Sequence, residues 1–571
     1  MRYDIRERIE NYVDLFFIFV EVDIFILLLF ELGFPFRSIE YSLGYGLGGL
    51  VIFELFIYFL LFPRVRSYFK NTWRRYLVAF LLIYASYLFR RVDQAHRFIQ
   101  LYSRFYLVSL LVLIFIKFVM QTERLGEIFR SFRVSPAQAI IVSFASIIVL
   151  GSFLLYLPYS RAPGTELRYI DALFSATSAV CVTGLIVVDT GTAFSIVGQV
   201  FLLLLIQAGG LGIMTIAAFI QVSLGSQMSL AGRFSTASLL GQGEVTNLFS
   251  IIRAIVFITF AFEAVGTAAF LPYFLGKFDS EMKALYYAGF HAISAFCNAG
   301  FSLYARSFTA ARGDIWVNLV LISLIVAGGM GFTVLHNLLR RAVHYRKVRL
   351  TVQTRIVLIT TCFFILFGAV NFFFLERHHV LGGTMRLHEK LLVSLFQSVT
   401  TRTAGFNTVD TAQLRPVTLF MMSTLMFIGA SPGSTGGGIK TTTFFVLMLS
   451  IVTILRDQRF NTIFRRRIPF AVVNRAFAIL VASVGVIFMG TLLLGYSQNF
   501  SFMRLYFETV SAFGTVGLST GITPQLNDFG KIVIMVVMFV GRIGPLTMVL
   551  AIRNLQGTRL VTYPEERIMV G

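Results

Sequence analysis

The chain has 571 residues, of which 57% are hydrophobic and only 13% are charged. A soluble protein of this length could not bury so much apolar surface, so the composition excludes a soluble globular protein and predicts an all-α polytopic membrane protein. The formal net charge is +21. Its Lys and Arg lie mainly in loops, where the positive-inside rule and anionic lipid explain them without a nucleic-acid partner.

Residues 1–133 are predicted to form an N-terminal extension of about four transmembrane helices. Apolar stretches lie near residues 12–33, 43–62, 76–89 and 104–120, with basic loops between them. The charged N-terminus, M-R-Y-D-I-R-E-R, is unlike that of a cleavable signal peptide. The motif that marks the rest of the chain is absent from this block, and the block itself indicates no function.

One motif occurs four times in the remainder of the chain. Its copies are T-S-A-V-C-V-T-G-L, I-S-A-F-C-N-A-G-F, S-V-T-T-R-T-A-G-F and V-S-A-F-G-T-V-G-L. They align on Gly184, Gly300, Gly405 and Gly517, each of which is followed by a large apolar residue. Three copies have Ser-Ala before the glycine, whereas the third departs there. Four copies in register indicate an internal repeat of one supersecondary unit.

The chain therefore divides into four predicted repeats, 134–245, 246–350, 351–467 and 468–571, the last with a cytoplasmic C-terminal tail. In each, an apolar helix precedes a short helix that ends at the motif, and an extended segment leads to a returning apolar helix. The predicted helices are 135–157, 169–181 and 194–222; 250–275, 281–296 and 315–340; 353–375, 387–401 and 415–455; and 472–495, 503–513 and 529–552. Basic segments between repeats mark the cytoplasmic side, so the short helices enter from outside.

The motif indicates a cation filter. A segment too short to span the bilayer leaves backbone carbonyls unpaired, so it must be buried in protein or line a water-filled cavity. Four such segments around one axis form rings of carbonyl oxygens that can replace the hydration shell of a cation, as in potassium-channel filters. The predicted filter residues are Val182, Thr183 and Gly184; Asn298, Ala299 and Gly300; Thr403, Ala404 and Gly405; and Thr515, Val516 and Gly517. The alternative is that these glycines only allow close helix packing, which four copies in register disfavour.

A glycine-rich segment, residues 429–440, interrupts the returning helix of the third repeat. Its sequence, G-A-S-P-G-S-T-G-G-G-I-K, cannot continue a membrane helix. We predict an intramembrane loop that gates the pore beneath the filter, the alternative being an extramembrane loop between two shorter helices. The predicted gate residues in this loop are Gly433, Ser434, Thr435, Gly436, Gly437, Gly438 and Lys440.

Two arginines lie in otherwise apolar surroundings. Arg542, in F-V-G-R-I-G-P, is predicted to approach the carbonyls of the glycine-rich loop and to help hold the gate shut. The alternative is that its side chain extends to the cytoplasmic interface. Arg402 lies inside the third motif, and we predict that it packs against the short helices because a cation in the ion path would oppose conduction.

These motifs, the stretch C-V-T-G-L-I-V-V-D-T-G and the ending Y-P-E-E-R resemble the Trk/Ktr/HKT superfamily of potassium transporters. The resemblance covers about residues 134–571 and is greatest to the bacterial Ktr-type membrane subunit. It implies four M1–pore helix–M2 repeats in a pseudo-fourfold arrangement around one pore, and K⁺ uptake across the cytoplasmic membrane of a bacterium. It also implies a homodimer, a cytoplasmic nucleotide-binding regulatory subunit of the RCK type, and a possible Na⁺ dependence.

The chain itself is predicted to hold no cofactor, because nothing in it resembles a nucleotide-binding domain and any nucleotide control would come through the partner. In plant relatives, a serine at the first filter glycine accompanies Na⁺ transport, and Gly184 is glycine here. The alternative within transport is a Na⁺-selective or poorly selective cation pore. A membrane enzyme is not indicated, because the seven histidines are scattered and form no catalytic spacing.

Overall fold

The computed structural model of the chain describes residues 136–223, 248–343, 349–383 and 385–552. The predicted N-terminal helices in 1–133 and the tail beyond residue 552 lie outside the described residues. The described part is predominantly helical, and its only named strands, Thr462–Ile463 (β1) and Arg466–Arg467 (β2), form a short antiparallel hairpin. Apart from Tyr156–Pro163, the described residues belong to one compact unit.

The helices follow one order in each quarter of the described chain, a long apolar helix, a short helix and a returning helix. The first quarter has α1 (Pro136–Tyr156), α2 (Tyr169–Val180) and α3 (Ile196–Ser223), and the second has α4 (Leu248–Leu275), α5 (Glu281–Phe296), α6 (Ile315–Met330) and α7 (Phe332–Val343). The third has α8 (Val352–Glu376), α9 (Leu387–Thr400), α10 (Pro416–Phe427) and α11 (Thr441–Leu455). The fourth has α12 (Phe470–Ser497), α13 (Phe502–Gly514), α14 (Asp528–Ile543) and α15 (Pro545–Ile552).

Several of these helices have the length and composition of membrane spans. Within the described ranges, Ala254–Leu275, Val352–Glu376 and Phe470–Ser497 are long and apolar enough to cross a bilayer. Helices α6 and α7 pass the same test together, although they are bent by 107°. The four short helices, by contrast, have 12 to 16 residues and are mostly buried in protein.

The predictions of one continuous returning helix over 315–340 and over 529–552 were wrong. The first breaks at Gly331 and the second at Gly544, where φ is +91° and +92°. A right-handed helix cannot contain such a residue, and only glycine adopts this angle without strain. Pro545 follows Gly544 and begins α15, as proline often does at the first position of a helix. Helix α3 remains unbroken through its own glycine pair, Gly209 and Gly210.

One buried phenylalanine in each short helix anchors it in the core. Phe174, Phe290, Phe396 and Phe507 are at most 1% exposed. Burying such a ring contributes roughly 1.5–3 kcal/mol relative to leaving it in water. Because these side chains fix the rotation of the short helices, they also set the direction in which the chain leaves each helix at its C-terminal end.

Candidate cation filter and glycine-rich loop

The chain leaves all four short helices in the same backbone conformation. The first residue of each predicted filter tripeptide has a positive φ, between 49° and 70°, and so does its glycine, between 70° and 91°. The first residues are Val182, Asn298, Thr403 and Thr515, for which a positive φ is uncommon and costs free energy. Because this strained conformation recurs at all four places, the surrounding structure must impose it, as is typical of functional sites.

This conformation turns the chain out of the helical hydrogen-bonding pattern. The amide of the middle residue still donates to the end of its own short helix, as Thr183 N does to Ser178 O at 2.8 Å and Val516 N does to Ser511 O at 2.8 Å. In the part of the chain that the structure describes, no carbonyl oxygen of the four tripeptides accepts a protein hydrogen bond. Buried carbonyls without a partner are costly unless another group binds them.

The four glycines meet one another in sequence order and close a ring. A Cβ at Gly184 would overlap the carbonyl oxygen of Ala299, and one at Gly517 would overlap that of Thr183. At Gly300 the Cβ would lie 2.8 Å from Ala404 O, and at Gly405 it would lie 2.6 Å from Val516 O. Each glycine therefore lies against the residue that precedes the glycine of the next quarter, and the glycine of the fourth quarter lies against the residue that precedes the glycine of the first. No larger residue fits at any of the four places.

The third motif reaches this ring with one residue fewer. Ala404 N donates to Thr400 O, four residues back, whereas the other middle amides donate five residues back. Thr400 Oγ1 donates to Phe406 O at 2.7 Å, as Ser294 Oγ does to Phe301 O at 2.7 Å. Thr400 thus takes the place of the missing Ser-Ala serine. This explains why the third motif departs from the others before its glycine.

In the first and fourth motifs the serine hydroxyl accepts a hydrogen bond from the tripeptide instead of donating one. Ser178 Oγ accepts from Gly184 N at 3.0 Å, and Ser511 Oγ accepts from Gly517 N at 3.2 Å. The hydroxyl thus holds the amide of the glycine in the first and fourth copies and the carbonyl after it in the second and third. In all four cases a side chain of the short helix fixes the strand that carries the tripeptide.

The glycine-rich loop, residues 429–440, lies inside the protein against two of the filter motifs. Ala430 and Ser431 are fully buried, and Thr435 is 1% exposed. Gly437 N donates to Thr515 Oγ1 at 2.9 Å. A Cβ at Gly436 would overlap Thr403 Oγ1. The loop therefore contacts the first residue of the third and fourth tripeptides.

The loop is also attached to the break between α6 and α7. Ser431 N donates to Gly329 O at 3.1 Å, Phe332 N donates to Gly433 O at 2.8 Å, and Ser434 Oγ donates to Ser431 O within the loop at 2.7 Å. A Cβ at Gly331 would lie 2.5 Å from Pro432 O. The 107° bend that sequence reasoning missed is therefore the place where the loop enters the second quarter. The sequence at this bend is A-G-G-M-G-F, and its three glycines were the signal that could have indicated the break.

Two cations are aimed at the loop's carbonyls. Arg542 is 5% exposed; its Nη1 donates to Thr435 O, and its Nη2 donates to Gly209 O at 2.5 Å. Lys440 Nζ donates to Gly436 O at 2.6 Å. The predicted approach of Arg542 to the loop is thus present, and it ties the loop to α3 as well. Gly438 closes the base of the loop, where a Cβ would lie 3.3 Å from Gly429 Cα.

Arg402 lies within the core rather than in solvent, with 7% of its surface exposed. Its Nη1 has no hydrogen-bond partner among the described residues. Its backbone amide donates to Val399 O at 3.0 Å and so continues α9 up to the third tripeptide. The burial agrees with the predicted packing position of this side chain.

An ion pair between the first and fourth quarters was not predicted. Lys531 Nζ lies 2.6 Å from Asp171 Oδ1, and both residues are nearly buried. Arg168 immediately precedes α2, and its side chain lies 3.2 Å from Asp171 and 3.0 Å from Asp528. The hydrogen bond to Asp171 raises the pKa of the exposed Arg168 guanidinium above its ordinary value. Single charges inside apolar stretches were the signal that could have revealed Asp171 and Lys531.

Comparison with known proteins gives the family of the chain. The family model described as TrkH, a cation transport protein, matches residues 113–559. The Ktr system potassium uptake protein B of Bacillus subtilis is 38% identical over 453 residues, which are 79% of this chain and 100% of that protein. The potassium/sodium uptake protein NtpJ of Enterococcus hirae is 33% identical over 445 residues, 77% of this chain and 98% of that protein.

A solved structure supports the same fold. The potassium transporter TrkH from Vibrio parahaemolyticus matches with a TM-score of 0.60 and 19% identity, over 73% of this chain and 84% of that one. The family match begins at residue 113, earlier than the start near 134 that the resemblance indicated. These findings confirm the predicted resemblance, the membrane location and a transporter rather than an enzyme. The chain belongs to the TrkH family of cation transport proteins.

Proposed function

We propose that the chain takes up K⁺ across the cytoplasmic membrane through a filter formed by the four tripeptides. The ring of glycines, with carbonyl oxygens that accept no protein hydrogen bond in the described chain, is the observation that carries the proposal. Unpartnered carbonyls at a glycine-lined opening are suited to replace the hydration shell of a cation. The names of the relatives, potassium uptake protein B among them, supply the ion.

The same ring supports a pseudo-fourfold arrangement of four M1–pore helix–M2 repeats, 134–245, 246–350, 351–467 and 468–571. The C-terminal ends of α2, α5, α9 and α13 all lead directly into the ring. Because the C-terminus of a helix carries a partial negative charge, four of them directed to one place favour a cation there. The shared direction of the four helix ends therefore adds to the negative potential of the carbonyl oxygens.

We assign the gate to the loop, residues 429–440, together with Arg542. The loop contacts the filter residues Thr403 and Thr515, and Arg542 donates to the Thr435 carbonyl of the loop. In this proposal the loop obstructs the path beneath the filter, and Arg542 and Lys440 hold it there. Rearrangement of the loop would then open the path without disturbing the ring.

The partners follow from the family resemblance. We propose that the chain forms a homodimer and acts with a cytoplasmic RCK-type subunit, which would bring any nucleotide control. The chain would supply the pore and no cofactor of its own, and Na⁺ would act, if at all, as a coupling ion.

A Na⁺-selective or poorly selective pore is the second candidate. The observation that favours it is the match to a potassium/sodium uptake protein. The glycine at position 184 favours K⁺ by the resemblance to the superfamily, in which serine at that place accompanies Na⁺ transport. Both candidates use the same fold and the same residues, so only ion measurements separate them.

The test is growth of cells that lack their own K⁺ uptake, with the full chain expressed alone or with an RCK-type subunit. We expect growth at low K⁺, and uptake of K⁺ that Na⁺ in excess does not displace. Equal uptake of both ions would select the second candidate. No ion uptake by a chain that reaches the membrane, with or without the subunit, would contradict both.

A further inference from the structure

One position on the short helices carries a side chain that, in three of the four quarters, forms a hydrogen bond to the segment following the filter glycine. It lies nine residues before the glycine in three quarters, and eight before it in the third, whose motif is one residue shorter. The four residues at this position, which we call the brace position, are Ser175, His291, Gln397 and Glu508. All four are at most 3% exposed.

Glu508 makes the most contacts from the brace position. Its Oε1 accepts from Ser519 Oγ at 2.7 Å, from Thr520 N at 2.8 Å and from Thr520 Oγ1 at 3.2 Å. Its Oε2 accepts from Thr523 Oγ1 at 2.8 Å. The segment Ser519–Thr523 begins two residues after Gly517, so this carboxylate fixes the chain where it leaves the fourth tripeptide.

The other three brace residues hold the corresponding strand progressively less. His291 Nε2 accepts from Leu303 N at 3.4 Å and lies 3.1 Å from Ser302 Oγ. Gln397 Nε2 donates to Thr408 Oγ1 at 3.3 Å, and its Oε1 has no partner within the described residues. Ser175 Oγ donates to Asp171 O of its own helix at 2.8 Å. The support behind the filter is therefore unequal in the four quarters.

We propose that Glu508 is the main positioning residue of the filter and that its hydrogen bonds to Ser519–Thr523 set the discrimination between K⁺ and Na⁺. The inference rests on the proposed function, because it requires the ring to be the filter. A buried carboxylate that accepts several hydrogen bonds holds its donors firmly. Loss of that hold lets the fourth quarter of the ring relax toward the shorter oxygen distances that a smaller ion needs.

Two changes at Glu508 separate hydrogen bonding from charge. Glu508→Ala removes every acceptor, and we expect the ratio of K⁺ to Na⁺ uptake to fall by about tenfold. Glu508→Gln keeps one acceptor oxygen for Ser519 and Thr520, and hydroxyl rotation lets Thr523 accept from the new amide. We therefore expect Glu508→Gln to retain the ratio within about twofold. An equal loss in both variants would overturn the proposal, since charge alone would then account for the effect.

A milder pair of variants keeps the test valid where Glu508→Ala fails to fold. Thr523→Val removes a single hydroxyl donor to Glu508 without a change of shape. Its matched control is Thr418→Val, because Thr418 Oγ1 donates at 2.5 Å to Glu376, another fully buried carboxylate. That carboxylate also accepts from Val380 N and from Arg415 N, at the start of α10. Among the described residues it makes no hydrogen bond to the six residues that follow Gly405.

The readout is uptake of K⁺ and of Na⁺ by the full-length protein in lipid vesicles, with maximal rate and half-saturating concentration measured for each ion. Thr523→Val is expected to lower the K⁺ to Na⁺ ratio about threefold, whereas Thr418→Val leaves it unchanged. Equal effects of the two valines would show a general packing defect and overturn the proposal. Gly517→Ser, measured in parallel, must alter selectivity if the ring is the filter. If it does and Thr523→Val does not, the brace fails while the proposed filter stands; if Gly517→Ser does not, the filter itself fails.

Discussion

The filter motifs and the loop 429–440 are both rich in glycine, yet they use it in different ways. In the motifs, the aligned glycine of each quarter has a positive φ and lies against the backbone of a neighbouring quarter. In the loop, three successive glycines include only one with a positive φ, Gly438, and two of them approach threonine side chains. The ring is thus closed by backbone contacts among all four quarters, whereas the loop is held by separate hydrogen bonds, such as those from Gly437 N to Thr515 Oγ1 and from Ser431 N to Gly329 O.

This difference indicates a division of work. A structure that four quarters support together resists local rearrangement and is suited to selecting an ion. A segment present once, and fixed by separable hydrogen bonds, is suited to changing position. Three predictions test this contrast. A substitution in the ring is expected to change ion selectivity, whereas a substitution in the loop or its contacts is expected to change the flux.

The largest effect is expected from Gly184→Ser. A side chain here would overlap Ala299 O and would require a non-glycine residue at a φ of +90°, which costs about 1–3 kcal/mol. We expect K⁺ uptake to fall, and its preference over Na⁺ to fall with it, by about tenfold or more. The measurement is competitive uptake of the two ions.

Gly164→Ser is the matched control for Gly184→Ser. Gly164 has a φ of +81°, but a Cβ there would meet nothing within 4 Å. Gly164→Ser therefore has the same kind of backbone strain as Gly184→Ser, without the steric overlap with a neighbouring carbonyl. Full selectivity in Gly184→Ser, or equal loss in both variants, would contradict the ring as the source of selectivity.

A smaller effect of the opposite sign is expected from Arg542→Ala or from deletion of Gly436–Gly438. Arg542→Ala removes the hydrogen bonds to Thr435 O and Gly209 O, each worth about 1.5–3 kcal/mol with a charged donor. If the loop obstructs the pore, K⁺ flux rises several-fold while the K⁺ to Na⁺ ratio is unchanged. Arg542→Lys keeps the charge but cannot donate to both carbonyls with the fork of a guanidinium, so its K⁺ flux is expected to lie between those of the wild type and Arg542→Ala. Flux that stays at the wild-type value in a folded Arg542→Ala protein would refute the gate.

The smallest effect is expected from Thr515→Val, at the contact between the two regions. The change keeps a β-branched residue at the same backbone angle but leaves Gly437 N without its acceptor. An unsatisfied buried amide costs about 1–3 kcal/mol, so we expect flux to rise about twofold to fivefold, with selectivity retained. Tracer flux at a fixed gradient measures this. A drop in selectivity instead would show that the loop and the ring do not act separately.

The sequence predicted more of the ring than of its surroundings. The four motifs could be found because glycine is required at one place in each quarter, and Arg542 because a charge is rare in an apolar helix. The breaks at Gly331 and Gly544 were missed because a glycine within an apolar run is equally compatible with an unbroken helix, as Gly209 in α3 shows. The brace residues were missed because their partners lie on extended strands whose path a sequence pattern does not give.

The third motif shows a second limit of sequence reasoning. Alignment on Gly405 left its serine position empty, although Thr400 performs the same hydrogen bonding from one residue closer. The missing residue lies between Thr400, where α9 ends, and Gly405, so an alignment on the glycine shifts every position of α9 by one, and the replacement could be recognised only from the structure.

The closed ring has a consequence for how the protein is made. Gly517 faces the backbone of Thr183, and the buried pair of Lys531 with Asp171 joins residues that are 360 positions apart in the chain. During synthesis the first three motifs must therefore enter the membrane while the place of the fourth is still vacant, and Asp171 has Arg168 but not yet Lys531 as a partner. The last helices to leave the ribosome complete the ring, so a chain truncated before them would lack a quarter of the proposed filter.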